Sequence, residues 1–541
     1  MPEKRVRTRF AYRRARELDA GGVRRVRVLI VGAGPVGLTA ALDLARRGHE
    51  VVVLNKDDTL AAGSKAICFS KRSLDICDRL GVADRMLAKG VAWNVGKVFW
   101  GERKEPIYQF DVLGVPDQKN PGFINLQQYY FEEFLIEAIE QRPEVDLRWR
   151  HSAVGIQAKN DCVAVTIDSD DGSYVLEATY VLACDGGRSS VRTMMGLDFG
   201  GRAFEDSFLI ADVRFEQARP PERWFWFEPP FPGSSALLHK QPDGEWRLDF
   251  QLGANIDKAS AIKPENVAPF VEGMLGEGVA YEFVWLSAYT FQCRRMERFV
   301  HDRVIFAGDA AHLVSPFGAR GANSGISDAD NLVWKLDLVL RGLAPRALLE
   351  SYDAEATVAA DVNILNSTRS TDFITPKSDG ARALRDAVLE LATRHPFARP
   401  FVNSGRLATA VSFPASPLNT PDVDMWNGGV APGSPALDAP ISYGSKNWLL
   451  ELLGGGFVLL VFGNALAKTG ELRHIETLLG VRVLRIAGDE VRDVRGLVAK
   501  RYEAGDGAVY LIRPDQYVAA RWRRYDGDAI VTAICRAICQ S

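Results

Sequence analysis

Cysteine is scarce, and its spacing points to no cross-link. The seven cysteines (Cys68, Cys77, Cys162, Cys184, Cys293, Cys535 and Cys539) are odd in number and scattered, with no C-x-x-C, so neither a disulfide framework nor a zinc site is expected. That usage fits a reducing cytoplasm, and no metal is expected. No run of about 18 or more apolar residues occurs, which removes a membrane-spanning helix from the expectations. Charge of either sign is not in excess: the formal net charge is −3, which gives no general reason to expect nucleic acid or an anionic membrane as partner. No repeat period appears. What is present, 47% hydrophobic and 25% charged residues in a 541-residue chain, is the composition of an ordinary globular protein. Such a length holds roughly two to four domains.

Residues 1–25 read as a basic N-terminal arm. The pair Arg13–Arg14 raises a twin-arginine export signal, but no apolar stretch follows it before the first strand, and Glu17 and Asp19 interrupt the charge. A solvated arm packed on a neighbouring surface is the expectation.

The stretch VRVLIVGAGPVGLTAALDLARRG at Val26–Gly48 organises the rest. An aliphatic run (Val28, Leu29, Ile30, Val31) meets Gly32, Gly34 and Gly37 in G-x-G-x-x-G spacing, a strand followed by a tight turn and a helix start. Gly32 permits the turn, Gly34 admits a pyrophosphate close to the backbone, and Gly37 lets helix and strand pack together. The first helical N–H groups then face the phosphates. This predicts a dinucleotide site. A second buried strand, Glu50–Leu54, ends at Asn55, where a Glu or Asp usually meets the ribose; an amide can also bond a hydroxyl, and Asp57 or Asp58 can substitute. Lys65 is either a phosphate contact or a solvated surface lysine. Gln127 and Gln128 open an amphipathic helix, as a cap or a cofactor contact.

From Leu147 to Ala183 the pattern is that of strands, ending in the Gly- and Ser-rich turn Cys184–Arg192. Residues Phe204 to Phe299 read as a second, mostly antiparallel sheet. Its strand Trp246–Leu252 alternates strictly, with Arg247, Asp249 and Gln251 on a polar face, and the preceding strand adds His239 and Gln241. That face meets either solvent or a ligand. A third short strand stops at Gly308–Asp309, and Pro316, Gly318, Gly321, Asn323 and Gly325 then open a long helix whose N-terminus favours negative charge. Residues 394–446, rich in Pro, Gly, Ser and Asn, read as a connecting segment. The tail, 447–541, reads as a small α/β module with a helix over 467–479.

Three ordered motifs, G-A-G-P-V-G at Gly32–Gly37, D-G-x-x-S-x-V-R at Asp185–Arg192, and G-D-A-A-H with P-x-G-x-x-G-x-N-x-G at Gly308–Gly325, resemble the single-component (class A) FAD-dependent aromatic hydroxylases of the para-hydroxybenzoate, phenol and 3-(3-hydroxyphenyl)propionate hydroxylase type. The tail resembles the thioredoxin-like domain of the phenol hydroxylase branch, without a redox C-x-x-C. The fold class implied is α/β: a Rossmann-like FAD-binding domain interleaved with a mostly antiparallel substrate-domain sheet over residues 26–393 (the sheet mainly 200–300), then the thioredoxin-like domain.

Carried over by position, the resemblance places the FAD pyrophosphate at Gly32, Gly34, Pro35 and Gly37, with Lys65 where an Arg is more usual and Asn55 at the ribose. Gln128 faces the ribityl chain, Asp309 binds that chain or the pyrophosphate waters, and Asp185 lies near the pyrophosphate. The backbone of Gly321, Ala322 and Asn323 holds the pyrimidine edge, and Pro316 lies at the reactive side with Phe317 beside the substrate. His239 and Asp249 become candidates to touch the substrate hydroxyl, with Trp226, Gln241, Arg247 and Gln251 lining the pocket; His312 is expected to be structural. Arg247 and the aromatics of Trp224–Phe231 allow a phenol with an acidic side chain, though a sheet edge reads the same way. The activity implied is hydroxylation of a phenolic ring with NADPH or NADH as electron donor and O2, through a flavin C4a-hydroperoxide, by a homodimer. Three rivals share the motifs: a halogenase, because Trp224–Pro229 partly matches W-x-W-x-I-P; a reductase or desaturating enzyme; and a flavin-bearing interaction protein.

Overall fold

The computed structural model describes residues 8–20, 22–61, 63, 65–112, 115–217, 219–403, 407–463, 477, 480–486 and 490–540. The strand Arg24–Val31 lies near the middle of an eight-stranded sheet, between Gly172–Ala183 and Val51–Asn55, with parallel pairing on both sides. Val28, Leu29 and Ile30 are fully buried; at about 1.5–3 kcal/mol per aliphatic side chain, this run alone justifies a central position. Parallel strands Val145–Trp149 and Val304–Phe306 extend the sheet outward, and the hairpin of His151–Ala158 and Val163–Ser169 pairs with the N-terminal half of Gly172–Ala183. Helix Pro35–Arg46 follows the glycine turn, Gly34 preceding its first residue.

The arm is not free in solvent beyond residue 8. Phe10 stacks on Trp149 at 4.2 Å, Tyr12 on His151 at 5.3 Å, and buried Glu17 accepts hydrogen bonds from Arg148. These contacts cover the edge of the first sheet, as an expected packing surface requires.

A second eight-stranded sheet runs in the order His312–Leu313, Tyr281–Arg295, Gly200–Phe215, Glu245–Ala254, Ser235–Lys240, Arg223–Phe227, Val95–Trp100, Tyr108–Asp111. Only the pair Arg223–Phe227 and Val95–Trp100 is parallel. The alternation of the sequence separates its faces. Trp246, Leu248 and Phe250 pack with Val267 and Val271 of helix Pro264–Leu275, while Arg247 and Asp249 face inward toward the first sheet.

Helix Gly321–Leu340 and helix Ala347–Ile374 lie against the first sheet. The segment after helix Asp379–Arg394 holds only short turns of helix before strand Pro440–Tyr443, and it clings to the tail: Thr420 and Gly433 donate backbone hydrogen bonds to Ala519 and Val518. The tail forms a four-stranded sheet, Arg482–Ile486, Val458–Phe462, Val509–Ile512, Val518–Trp522, whose first pair is parallel and whose others are antiparallel. Leu459, Val461 and Leu511 pack with helix Gly527–Ala537 and Trp334, and Val458, Leu460 and Phe462 with helix Leu497–Tyr502. The helix expected over 467–479 lies, apart from residue 477, outside the described residues. A buried ion network fastens the tail: Arg513 donates to Glu355 and Asp515, Lys335 donates to Glu355 at 2.8 Å, and Arg72 donates to Asp330 and to the Asp515 carbonyl. Among the described residues no helix is long and apolar enough to cross a membrane.

Candidate active site

A cavity of about 1110 Å³ opens between the two sheets. At one end lies the first turn. Gly32 has φ +109° and a Cβ there would collide with the Cys184 carbonyl oxygen, so only glycine fits. Gly34 lines the cavity and a Cβ on it would meet nothing within 4 Å. Gly37 lies outside the lining: its Cβ would run into the Gly32 carbonyl oxygen, so its role is contact between helix and turn. Pro35, which opens the helix, also lines the cavity.

Asn55 lines this end, with part of its amide committed to the loop. Its Oδ1 accepts from the Ala33 N–H at 3.2 Å and its Nδ2 donates to the Asp57 carbonyl at 3.0 Å, leaving one N–H and one lone pair. Asp185 Oδ2 accepts from Ser190 Oγ and the Val191 N–H, while its Oδ1 is buried without a hydrogen-bond partner. Arg192 in the same motif donates to the carbonyls of Gly187 and Ala310, both at 2.7 Å, and so ties the second turn to the third.

Lys65, Gln128 and Asp309 line the middle of the cavity. Gln128 accepts from the Ala66 N–H and donates to Glu132. Burial raises the Asp309 carboxyl above its ordinary range, although the residue is open to the cavity. Behind it, His312 Nε2 lies 2.6 Å from Asp328 Oδ2, which also accepts from the Gly308 N–H. Burial alone would lower His312, but Asp328 prevails and raises it. This pair fixes the turn on helix Gly321–Leu340, a structural role for His312. Gly321 and Ala322 line the cavity where that helix starts. The Asn323 side chain does not: it accepts from the Ser70 N–H and Ser73 Oγ and donates to the Cys68 carbonyl, pinning the helix to a neighbouring strand.

The far end is the second sheet. Pro316, Phe317, His239, Arg247 and Asp249 all line the cavity, and Phe317 meets Phe208 and Phe291 edge-on at 5.2 and 5.4 Å. Arg247 holds Asp249 with three hydrogen bonds of 2.8 to 3.0 Å. His239 Nε2 stands 3.8 Å from Asp249 Oδ2, and its Nδ1 is buried without a partner. Burial, then the positive charges of Arg223 and Arg247, push His239 well below its ordinary value, so the imidazole is neutral.

Three expected substrate contacts are corrected. Trp226 stacks on Phe99 at 4.8 Å on the opposite face of the sheet, because strand Arg223–Phe227 turns its odd-numbered residues inward and its tryptophans outward. Gln241 is buried in the turn beyond the strand, with no side-chain hydrogen bond and no part in the lining. Gln251 accepts from Ser235 Oγ at 3.0 Å, one step past the cavity.

Glu132, Arg223 and Tyr289 are among the lining residues that escaped the sequence reading. Glu132 accepts from the Ala61 N–H and from Gln128, and burial raises its carboxyl; its position one helical turn after Gln128 was the available signal. Burial likewise raises the Tyr289 hydroxyl. Among the described residues no cluster of His, Cys, Asp and Glu could hold a metal.

These features fit FAD. The long cavity begins at a glycine cradle with open space beside Gly34, carries an unpartnered carboxylate oxygen at Asp185, and ends past a second helix start. The comparisons with known proteins agree. The FAD binding domain family matches residues 25–367. A 3-(3-hydroxy-phenyl)propionate/3-hydroxycinnamic acid hydroxylase of Mycobacterium sp. (strain JLS) is 30% identical over 453 residues, covering 81% of this chain and 76% of the relative. The enzyme of the same name from Burkholderia cenocepacia (strain HI2424) is 26% identical over 533 residues, covering 93% and 95%. The crystal structure of the flavin-dependent monooxygenase PieE with FAD and substrate superposes with a TM-score of 0.82 at 24% identity, covering 96% of this chain and 99% of that one, and shares the fold. With the glycine turns, the cavity and the matched span in agreement, the chain belongs to the FAD binding domain family, and it is a FAD-dependent monooxygenase of the class A aromatic hydroxylase kind.

Proposed function

We propose that this enzyme uses NADPH or NADH and O2 to add a hydroxyl group to a phenolic ring held between the FAD site and the inner face of the second sheet. One observation carries the reading: a neutral His239 and a charge-paired Asp249 line the same cavity as the Gly32–Gly34 turn. The phenolic names of the two relatives support the substrate class. FAD, when bound, supplies electron transfer from the nicotinamide and activation of dioxygen for electrophilic attack on the ring.

The chain supplies the rest. With FAD bound, Gly32, Gly34 and Pro35 would receive the pyrophosphate with Lys65 beside it, Asn55 would meet the ribose, and Gly321 and Ala322 would offer helix N-terminal N–H groups to the flavin's pyrimidine edge. Phe208, Phe291 and Phe317 exclude water, and Pro316 borders the reacting face. The neutral His239 Nε2 accepts a hydrogen bond from the phenol hydroxyl, with the Arg247–Asp249 pair 3.8 Å away. Trp224 and Trp226 turn away from the cavity, so the partial W-x-W match lends no support to a halogenase. The same proposal keeps a homodimer, an FAD-binding and substrate unit over 26–393, a connection over 394–446 and a thioredoxin-like tail over 447–541; the strand order of the tail, one parallel pair followed by antiparallel pairs, supports the last.

The test is oxidation of NADH and NADPH by the FAD-loaded protein across a panel of phenols, with hydrogen peroxide and ring product measured together. Product equal to nicotinamide consumed for one ring compound is the expected result. Slow oxidation with every phenol, or peroxide alone, would overturn the reading in favour of a reductase or a non-catalytic flavoprotein.

A further inference from the structure

Beyond Asn55 the cavity continues between the irregular segment that follows strand Val51–Asn55 and the start of strand His151–Ala158; Asp57, Thr59, His151 and Ser152 line it there. The N-terminal arm grips both walls of this end from outside. On the first wall, Arg9 forms an antiparallel bridge with Thr59, and the Phe10 N–H donates to the Asp58 carbonyl at 2.8 Å. The Phe10 ring lies on Trp149, 4.2 Å between centroids and 9° from parallel, and Trp149 is the register partner of Asn55. On the second wall, Tyr12 stacks on His151 at 5.3 Å and is itself tied down by a 2.8 Å hydrogen bond from its hydroxyl to Asp171.

Both nitrogens of His151 are occupied. The Arg13 carbonyl can only accept, so His151 Nε2 donates to it at 3.1 Å. Burial holds the imidazole below its ordinary value, so the ring is neutral and Nδ1 accepts from the Tyr174 hydroxyl at 3.0 Å. That hydroxyl also accepts from Arg148, which is bound to Glu17 of the arm. His151 can therefore offer a ligand only its ring carbons and π surface, which suits a flat aromatic group. We propose that the arm is part of the cofactor site: Phe10, Tyr12 and Arg13 are positioning residues that hold the Asp57–Thr59 segment and the His151 ring around the adenine of FAD. This rests on the placement of the pyrophosphate at Gly32–Gly34 and of the ribose at Asn55, beyond which the adenine is the part of FAD that remains. Without the arm the two walls lose their outer support, and binding must order them.

The experiment measures FAD and ADP binding to apoprotein, ADP by competition with FAD, in wild type, Phe10→Ala, Tyr12→Ala, Phe10→Tyr and Gly34→Ala, at a temperature where melts show every variant folded. Phe10→Ala and Tyr12→Ala should each weaken FAD and ADP by the same factor, about 3- to 10-fold, the worth of one aromatic pair. Phe10→Tyr keeps the stack and should bind both as wild type does. Unchanged affinities in the two alanine variants, whatever their melting temperatures, would reduce the arm to a cover for the sheet edge and overturn the proposal. A loss for FAD without a loss for ADP, or a Phe10→Tyr variant as weak as Phe10→Ala, would also overturn it. Gly34→Ala separates the two readings: if it leaves ADP binding intact, the pyrophosphate placement fails and takes the arm's role with it, whereas if it weakens ADP and the arm variants do not, the arm's role alone fails.

Discussion

Arg247 and Asp249, two residues apart on one strand, point to the same face and close an ion pair at 2.8 Å inside the cavity. Both are buried, and the pair stands within 3.8 Å of a neutral histidine. Asp249→Ala leaves the buried Arg247 guanidinium without its carboxylate. It should therefore lower stability by about 3–5 kcal/mol, the usual cost of breaking a buried pair from one side. Denaturant unfolding of the FAD-loaded variant checks this; a loss below about 1 kcal/mol would mean that solvent reaches the pair.

His239 and His312 should give opposite pH signatures. His239 is depressed in the fold, so the stability tied to its neutral form is complete above the ordinary value of 6.5 and declines as pH falls from there toward the folded value. His312 is raised by Asp328, so its contribution is complete below 6.5 and is lost as pH rises through the folded value. His239→Gln should therefore lose its deficit relative to wild type on acidification, and His312→Gln should lose its deficit on going from pH 6 to pH 9. A tenfold change in proton affinity corresponds to about 1.4 kcal/mol. Melting temperatures measured from acid to pH 9 for both variants decide the point, and parallel profiles would refute it.

The turns of the FAD site were legible because glycine spacing is a local property: the contacts that forbid a side chain at Gly32 and Gly37 follow from a strand running into a turn. The polar face of Trp246–Leu252 was legible from alternation alone. The phase of Arg223–Phe227 was not, since a run of RWFWF has large residues on both faces and only the packing of Trp226 on Phe99 selects between them. Arg223 stayed hidden for a related reason. Its surroundings are Cys68, Asp249 and Arg247, which come from other strands. The anchoring of the tail through Arg72, Asp330 and Asp515 likewise has no local signal.

Gly34 and Gly37, on the same turn, should separate cofactor binding from folding. Gly34→Ala adds a methyl group to open space in the cavity, so the apoprotein should keep its melting temperature while FAD binding weakens by about tenfold or more. Gly37→Ala drives a methyl group into the Gly32 carbonyl, and overpacking of this kind costs about 1–3 kcal/mol even without cofactor. Apoprotein melts and FAD titrations on both variants provide the check; equal melts would show that the helix can shift to accept the extra methyl group.

The same substitution at two buried glutamates should behave differently. At Glu355 burial would raise the carboxyl, but Arg513 and Lys335 prevail and lower it, so its contribution is complete above 4.5 and lost only as pH falls through the folded value. Glu355→Gln leaves two buried cations short of a counter-ion at the junction of the tail with helix Ala347–Ile374, and at pH 7.5 should cost about 3–5 kcal/mol. At Glu132 burial prevails and raises the carboxyl over the offsetting effects of Gln128, the Ala61 N–H and the Lys65 charge. Its charged form therefore weighs against the fold as pH rises above 4.5. Glu132→Gln removes that charge at the cost of one mismatched hydrogen bond of about 1 kcal/mol, so it should stay within ~1 kcal/mol of wild type at pH 7.5. Unfolding both variants side by side at pH 7.5 tests the contrast, and a Glu132→Gln loss as large as that of Glu355→Gln would show that the Glu132 carboxylate is paired more strongly than Gln128, the Ala61 N–H and Lys65 imply.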